Sequence, residues 1–207
     1  MLGLLLKEYY NLLRYGKTIL GLAVFYLFFS IVMKNVSFIT SMVMLLFAIM
    51  TVSSFSYDDM AKWDKYAASL PVTRKKIVGA KYLLGVVLTL IGGLLSLLGI
   101  GIVSLIQEVP DLDVNFMIIA GTFTASFFYL ALLLPVLYKF GAEKSRFIML
   151  AVFFIPFGLV YLLEQTGITM PSEETIVTFL KLAPFGVILM YIISYFISCA
   201  IYKKKEL

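Results

Sequence analysis

Residues 82–107 read YLLGVVLTLIGGLLSLLGIGIVSLIQ, 26 positions without a single charge. A bilayer core about 30 Å thick is crossed by about 20 apolar helical residues, so this run is long enough to span it. Five further uncharged runs flank it, at 18–33, 35–56, 114–138, 147–163 and 182–202. The shortest, 18–33, is bounded by Lys17 and Lys34, whose flexible stems let the ammonium groups reach the two interfaces. Membrane-crossing strands would show about ten residues of alternation, whereas these runs are continuous. The expectation is an all-α integral membrane protein with six transmembrane helices forming one domain over 1–207.

Composition agrees. The chain is 62% hydrophobic and 14% charged, against roughly 45–50% and about 25% for soluble domains. No soluble core of this size hides so much apolar surface. One cysteine, Cys199, excludes a disulfide framework, and the absence of histidine removes the usual zinc sites and histidine acid–base chemistry. The interiors of the six runs contain no Asp, Glu, Lys or Arg. Ion-driven transporters and proton relays need ionisable groups at membrane depth, so energy for any uphill transport has to enter from elsewhere. No catalytic, cofactor-binding or metal site is expected. Gly16-Lys17-Thr18 imitates the end of a phosphate-binding loop, but that motif needs a glycine five residues earlier, where Asn11 stands.

Lysine and arginine set the orientation. With both termini cytoplasmic, 15 of the 17 basic residues fall on inner segments, and only Lys34 and Lys181 lie outside. The outer connections carry Glu108, Asp111, Asp113, Glu164, Glu173 and Glu174. The net charge of +5 is therefore read as topology, and nucleic-acid binding is not expected. Residues 1–16 lack the cleavage pattern of a signal peptide. They read as an amphipathic elbow helix in the inner interface, with Leu2, Leu5, Leu6, Tyr9, Leu12 and Leu13 on one side and Lys7, Glu8, Asn11 and Arg14 mostly on the other.

In the third run, Gly85, Thr89, Gly92, Ser96 and Gly99 recur at 4-3-4-3 spacing, a small-residue face for close helix packing. That face serves packing within the chain or a seam with a second copy. Pro135, Pro156 and Pro184 are expected to kink their helices.

The inner loop 57–81 is the most informative connection. Asp58 and Asp59 are expected in a first helical turn, with Asp58 paired to Lys62. Met60, Trp63, Ala67 and Leu70 then make an apolar stripe beside Tyr66, Pro71 stops the helix, and Thr73 caps a basic helix running into the third span. A stripe this small lies on the membrane or on a partner protein, and periodicity does not separate the two.

The same loop resembles the signature of small six-helix permeases of the type-2 class of ABC exporters. Its matching residues are Tyr57, Asp58, Asp59, Lys62, Trp63, Asp64, Tyr66, Ser69, Leu70, Pro71, Val72, Thr73, Arg74, Ile77, Val78, Lys81 and Tyr82. Within that class the chain is similar to permease subunits that export phenol-soluble modulins, which are amphipathic peptide toxins. The resemblance implies a half-transporter in the bacterial cytoplasmic membrane. Two permease copies, identical or different, would each seat on a separate ATPase subunit that binds ATP and magnesium. Tyr57, Asp58, Asp59, Lys62, Trp63, Asp64, Tyr66, Leu70 and Arg74 would form the coupling-helix contact. The rival reading is a non-transport membrane protein, an immunity or regulatory factor that binds a toxin or sensor in the bilayer.

Overall fold

The computed structural model describes residues 2–13, 15–33, 35–106, 112–165 and 173–205. These residues are helical with short connections, and no strand occurs among them. In chain order the helices are α1 (Leu2–Leu13), α2 (Gly16–Met33), α3 (Val36–Met60), α4 (Trp63–Ala68), α5 (Arg74–Ile106), α6 (Leu112–Gln165) and α7 (Glu173–Lys204).

Helix α3 is the centre of the bundle. It packs against α5 along one side and α6 along another, while α7 lies along α6. Ala48, Val52 and Phe55 of α3 share one buried cluster with Val78 and Tyr82 of α5, Leu130, Leu134 and Leu137 of α6 and Tyr202 of α7. The apolar exterior follows from the solvent: α2 buries Ser30 and little else, and Leu20, Phe25 and Phe28 are exposed along it. Such surface is stable only in lipid.

Among the described residues five helical stretches are long and apolar enough to cross a membrane: Gly16–Met33, Ser37–Met60, Arg74–Ile106, Phe116–Ser145 and Leu182–Lys204. The expected span 147–163 is the continuation of α6, and most of its side chains lie outside the described residues. Residues 139–146, the segment between two of the expected spans, hold a break between two helical stretches. Helix runs on both sides of a single interruption at Gly141, with φ 76° and ψ 174°. Only glycine adopts that conformation cheaply. The interruption in α6 thus falls six residues beyond Pro135; Pro184 lies inside continuous α7, and the side chain of Pro156 lies outside the described residues.

The small-residue face of α5 is filled from within the chain. A Cβ on Gly92 would stand 3.2 Å from the Phe47 ring, and one on Gly99 would stand 2.7 Å from Ile39 Cδ1. Thr89 and Ser96 hydroxyls on the same face return to the carbonyls of Gly85 and Gly92, so both are satisfied within their own helix.

Candidate functional site

Asp58 and Asp59 occupy the last turn of α3, not a first turn as expected from the sequence. Carboxylates at a helix C-terminus oppose the helix dipole, so each needs a partner from another element. Asp58 finds two, the ammonium groups of Lys7 and Lys81, both at 2.6 Å. Glu8 completes the arrangement at 2.9 Å from Lys7 and 2.8 Å from Lys81. Two cations and two anions therefore form a neutral square joining α1, α3 and α5. Ser54 of α3 donates to Glu8 and accepts from Lys81. Glu8 and Lys81 are only 2% and 3% exposed.

A buried square is costly to assemble because every ion leaves water, and it survives when all partners are hydrogen-bonded together. Burial pushes the Glu8 carboxyl upward, but Lys81 and Lys7 outweigh it and hold the group below its ordinary 4.5. Glu8 is an anion at neutral pH. The expected Asp58–Lys62 pair is replaced by the square, since Lys62 is exposed and sits in the left-handed region at φ 50°.

From this square the segment 57–74 is strapped outward to three more points. Lys7 Nζ lies 4.2 Å from the centroid of the Trp63 ring, a cation–π contact that ties α4 to α1. Asp59 Oδ2 accepts the Ala142 N–H at 2.7 Å, capping the helical segment that starts after the Gly141 interruption. Asp64 accepts from the Tyr202 hydroxyl at 3.0 Å and pairs with Lys205 at 2.6 Å, while Arg74 donates to the carbonyls of Tyr202, Lys203 and Lys205 at the end of α7. A guanidinium over the orphan carbonyls of a helix C-terminus is favourable in charge and geometry.

Between these straps α4 is a single turn and a half. Its helix ends at Ala68, and the Val72 N–H reaches the Leu70 carbonyl at 2.7 Å across Pro71. Helix α5 starts at Arg74, where the carbonyl of Thr73 accepts from Lys76 and Ile77. Among the described residues no group of His, Cys, Asp and Glu side chains is arranged to hold a metal ion.

A comparison with protein families matches residues 3–203 to the family described as ABC-2 family transporter protein. The chain belongs to the ABC-2 transporter family. No curated protein and no solved structure matches it.

In this ABC-2 protein, a multi-pass membrane protein of the type-2 permease class, the loop residues singled out from sequence separate into two sets. Asp58, Asp59, Trp63, Asp64 and Arg74 make the straps, Asp59 and Arg74 from exposed positions. Lys62 and Tyr66 are exposed, Leu70 is half-buried, and Tyr57 stacks at a tilt on Tyr15 with centroids 5.6 Å apart. The expected apolar stripe divides as well: Ala67 is 2% exposed and Met60 79%. Sequence reasoning missed Gly141, Tyr202 and Lys205, and it named Glu8 and Lys81 without giving either a contact. Lys7 and Glu8 read as the solvated face of α1, whereas that face docks on the bundle and Leu6, Tyr9, Tyr10 and Leu13 face outward. The available signal was charge matching between the elbow and the two ends of the loop, Lys7 and Glu8 against Asp58 and Lys81.

Proposed function

We propose that this chain is the membrane-spanning subunit of an ATP-driven exporter of amphipathic or lipophilic substrates, with amphipathic peptides the preferred class. It works as a pair of permease copies, each seated through segment 57–81 on a separate ATP-binding subunit, with both termini on the cytoplasmic side of the bacterial membrane. ATP and magnesium belong to that partner, and this chain is not itself an enzyme. Tyr57, Asp58, Asp59, Lys62, Trp63, Asp64, Tyr66, Leu70 and Arg74 form or hold the seat.

The observation that carries this reading, beside family membership, is mechanical. One short segment is bound to α1, to α6 at its interruption and to the end of α7. A displacement imposed on this segment is passed to three helices at once, as a membrane subunit driven from outside the bilayer requires. The peptide substrate rests on the likeness of the loop to peptide-exporting permeases and on the high hydropathy of the spans.

The test is reconstitution. The purified chain should hydrolyse no ATP, and hydrolysis should appear when the ATP-binding subunit is added and rise with an amphipathic peptide. Hydrolysis by the chain after rigorous removal of other proteins would refute the division of labour. Trp63→Ala should insert normally, because Trp63 lies outside the expected spans, yet recover far less of the ATP-binding subunit on purification.

A further inference from the structure

Helix α7 has two unlike sides. Phe185, Ile188, Leu189, Ile192 and Phe196 are exposed along one. Tyr191, Ser194, Tyr195, Ser198 and Tyr202 recur at 3-1-3-4 spacing on the other, each with its hydroxyl bonded to a group outside α7. At the centre of that side the hydroxyls form a directed chain, because each has one proton to give. Ser194 donates to the Ala131 carbonyl of α6 at 2.6 Å. It therefore accepts from the Tyr82 hydroxyl of α5 at 2.6 Å, and the Tyr82 oxygen accepts from Ser198 at 2.8 Å. Tyr191 donates to the main-chain carbonyl of the same Tyr82 at 2.8 Å. Gly85 leaves room for this approach, since a Cβ there would stand 3.0 Å from the Tyr191 hydroxyl. Tyr82, Ser194 and Ser198 are all buried.

The two sides of α5 are thus held by different forces. Toward α3 it is held by close steric fit, Gly92 against Phe47 and Gly99 against Ile39. Toward α7 it is held at Tyr82 by hydrogen bonds. Both α5 and α6 pack on α3, and α7 lies against α5 and α6. Parting α5 from α7 leaves the packing on α3 in place, and Ser194 still ties α7 to α6. It strands the Tyr82 hydroxyl and carbonyl together with the Ser198 and Tyr191 hydroxyls. Such groups are costly away from water unless other polar groups replace the lost partners. Tyr82 begins the uncharged stretch of α5, directly after Lys81. The seam therefore stands at the edge of the hydrocarbon, the depth at which an amphipathic helix lies in a leaflet.

We propose that the α5–α7 seam at Tyr82 is a gate that opens for amphipathic substrates and not for purely hydrocarbon ones, because the polar face of an amphipath replaces the bonds that Tyr82, Tyr191 and Ser198 lose. The proposal rests on the permease reading and adds to it the residues that select the substrate. A site built from hydrogen-bonding groups rejects a molecule that leaves those groups unpaired.

The experiment uses the complex with the ATP-binding subunit, captured on tagged full-length chain from native membranes and placed in lipid vesicles. One probe is a helical peptide of leucine, serine and lysine; the other is diphenylhexatriene, a hydrocarbon without polar atoms. ATP hydrolysis should rise with the peptide and not with the hydrocarbon. In Tyr82→Phe with Ser198→Ala, the peptide concentration for half-maximal stimulation should rise about tenfold, as expected when about two hydrogen bonds are lost. A seam that is merely structural would lower the maximal rate and the thermal stability and leave that concentration where it was. Should this variant misfold, a second one tests the gate directly. Gly85→Cys with Tyr191→Cys, in a Cys199→Ser background, sets two thiols across the seam. Joining them with a short bifunctional thiosulfonate should abolish stimulation by the peptide, and reduction should restore it. Stimulation that survives bridging, equal stimulation by the hydrocarbon, hydrolysis that ignores the peptide, or an unshifted peptide dependence in the folded variant would each overturn the gate. Failure of the unaltered chain to capture any ATP-binding chain would instead overturn the permease reading.

Discussion

Lys81 is the residue on which the loop end depends. It is 3% exposed and touches Glu8, Asp58 and Ser54 together, so Lys81→Met strands two buried carboxylates on the remaining Lys7. Removing one member of a buried ion cluster costs about 3–5 kcal/mol. Glu8→Gln should cost a similar amount, whereas the double variant restores neutrality through Lys7 and Asp58. Its loss should be smaller than the summed single losses by more than about 1 kcal/mol. Unfolding of the four proteins in mixed detergent measures this coupling, and strict additivity would show that the square is not a unit. The pH dependence has a definite sign. Because Glu8 in the folded chain lies below its ordinary 4.5, its contribution is complete above about pH 4.5 and is lost as the pH falls through the lower folded value. Thermal stability of the parent should drop over that acid range, and Glu8→Gln should lack the Glu8 part of the drop.

At the scale of elements, the interruption in α6 and the α3–α5 contact are set by glycines for different reasons. Gly141 needs its positive φ, and a Cβ there would also stand 3.2 Å from the Asp59 carboxylate that caps Ala142. Gly141→Ala should cost about 1–3 kcal/mol. Asp59→Asn keeps an acceptor for Ala142 and should cost less than Asp59→Ala, which leaves a partly buried N–H unpaired, at about 1 kcal/mol. Hydrogen exchange at Ala142 distinguishes these outcomes. Gly99 is a matter of space alone. Gly99→Ala meets Ile39 Cδ1 at 2.7 Å and should destabilise by about 1–3 kcal/mol. Adding Ile39→Val removes that methyl and should recover most of the loss in the same unfolding assay. No recovery would mean that the contact is not what limits the approach of α3 and α5.

For the whole molecule, the distribution of basic residues predicts which ends share a compartment. In a Cys199→Ser background, Lys65→Cys and Lys144→Cys should resist an impermeant thiol reagent in intact cells. Asp111→Cys and Ser172→Cys should react. Labelling at position 65 from outside would invert the topology and remove segment 57–81 from reach of any cytoplasmic subunit. Both Lys65 and Lys144 are exposed at the loop end of the bundle, so shielding by the protein itself would not explain a lack of reaction there.

The length and continuity of the uncharged runs, by themselves, determined that this chain is helical and lives in a membrane, because hydrocarbon admits only helices or closed barrels and these runs do not alternate. The family was legible in the loop from Tyr57 to Tyr82, where residue types and spacing are local properties of the chain. What sequence did not determine is the direction in which each charged side chain turns. Lys7 and Asp58 lie 51 positions apart, and Lys205 lies 141 beyond Asp64; pairing across such distances is decided by which helices pack on α3. Local rules assigned Asp58 to Lys62 four residues away and placed Lys7 and Glu8 in water. Tertiary packing overruled both, because a carboxylate at the C-terminal end of a buried helix gains more from two cations brought by α1 and α5 than from one on its own solvated turn.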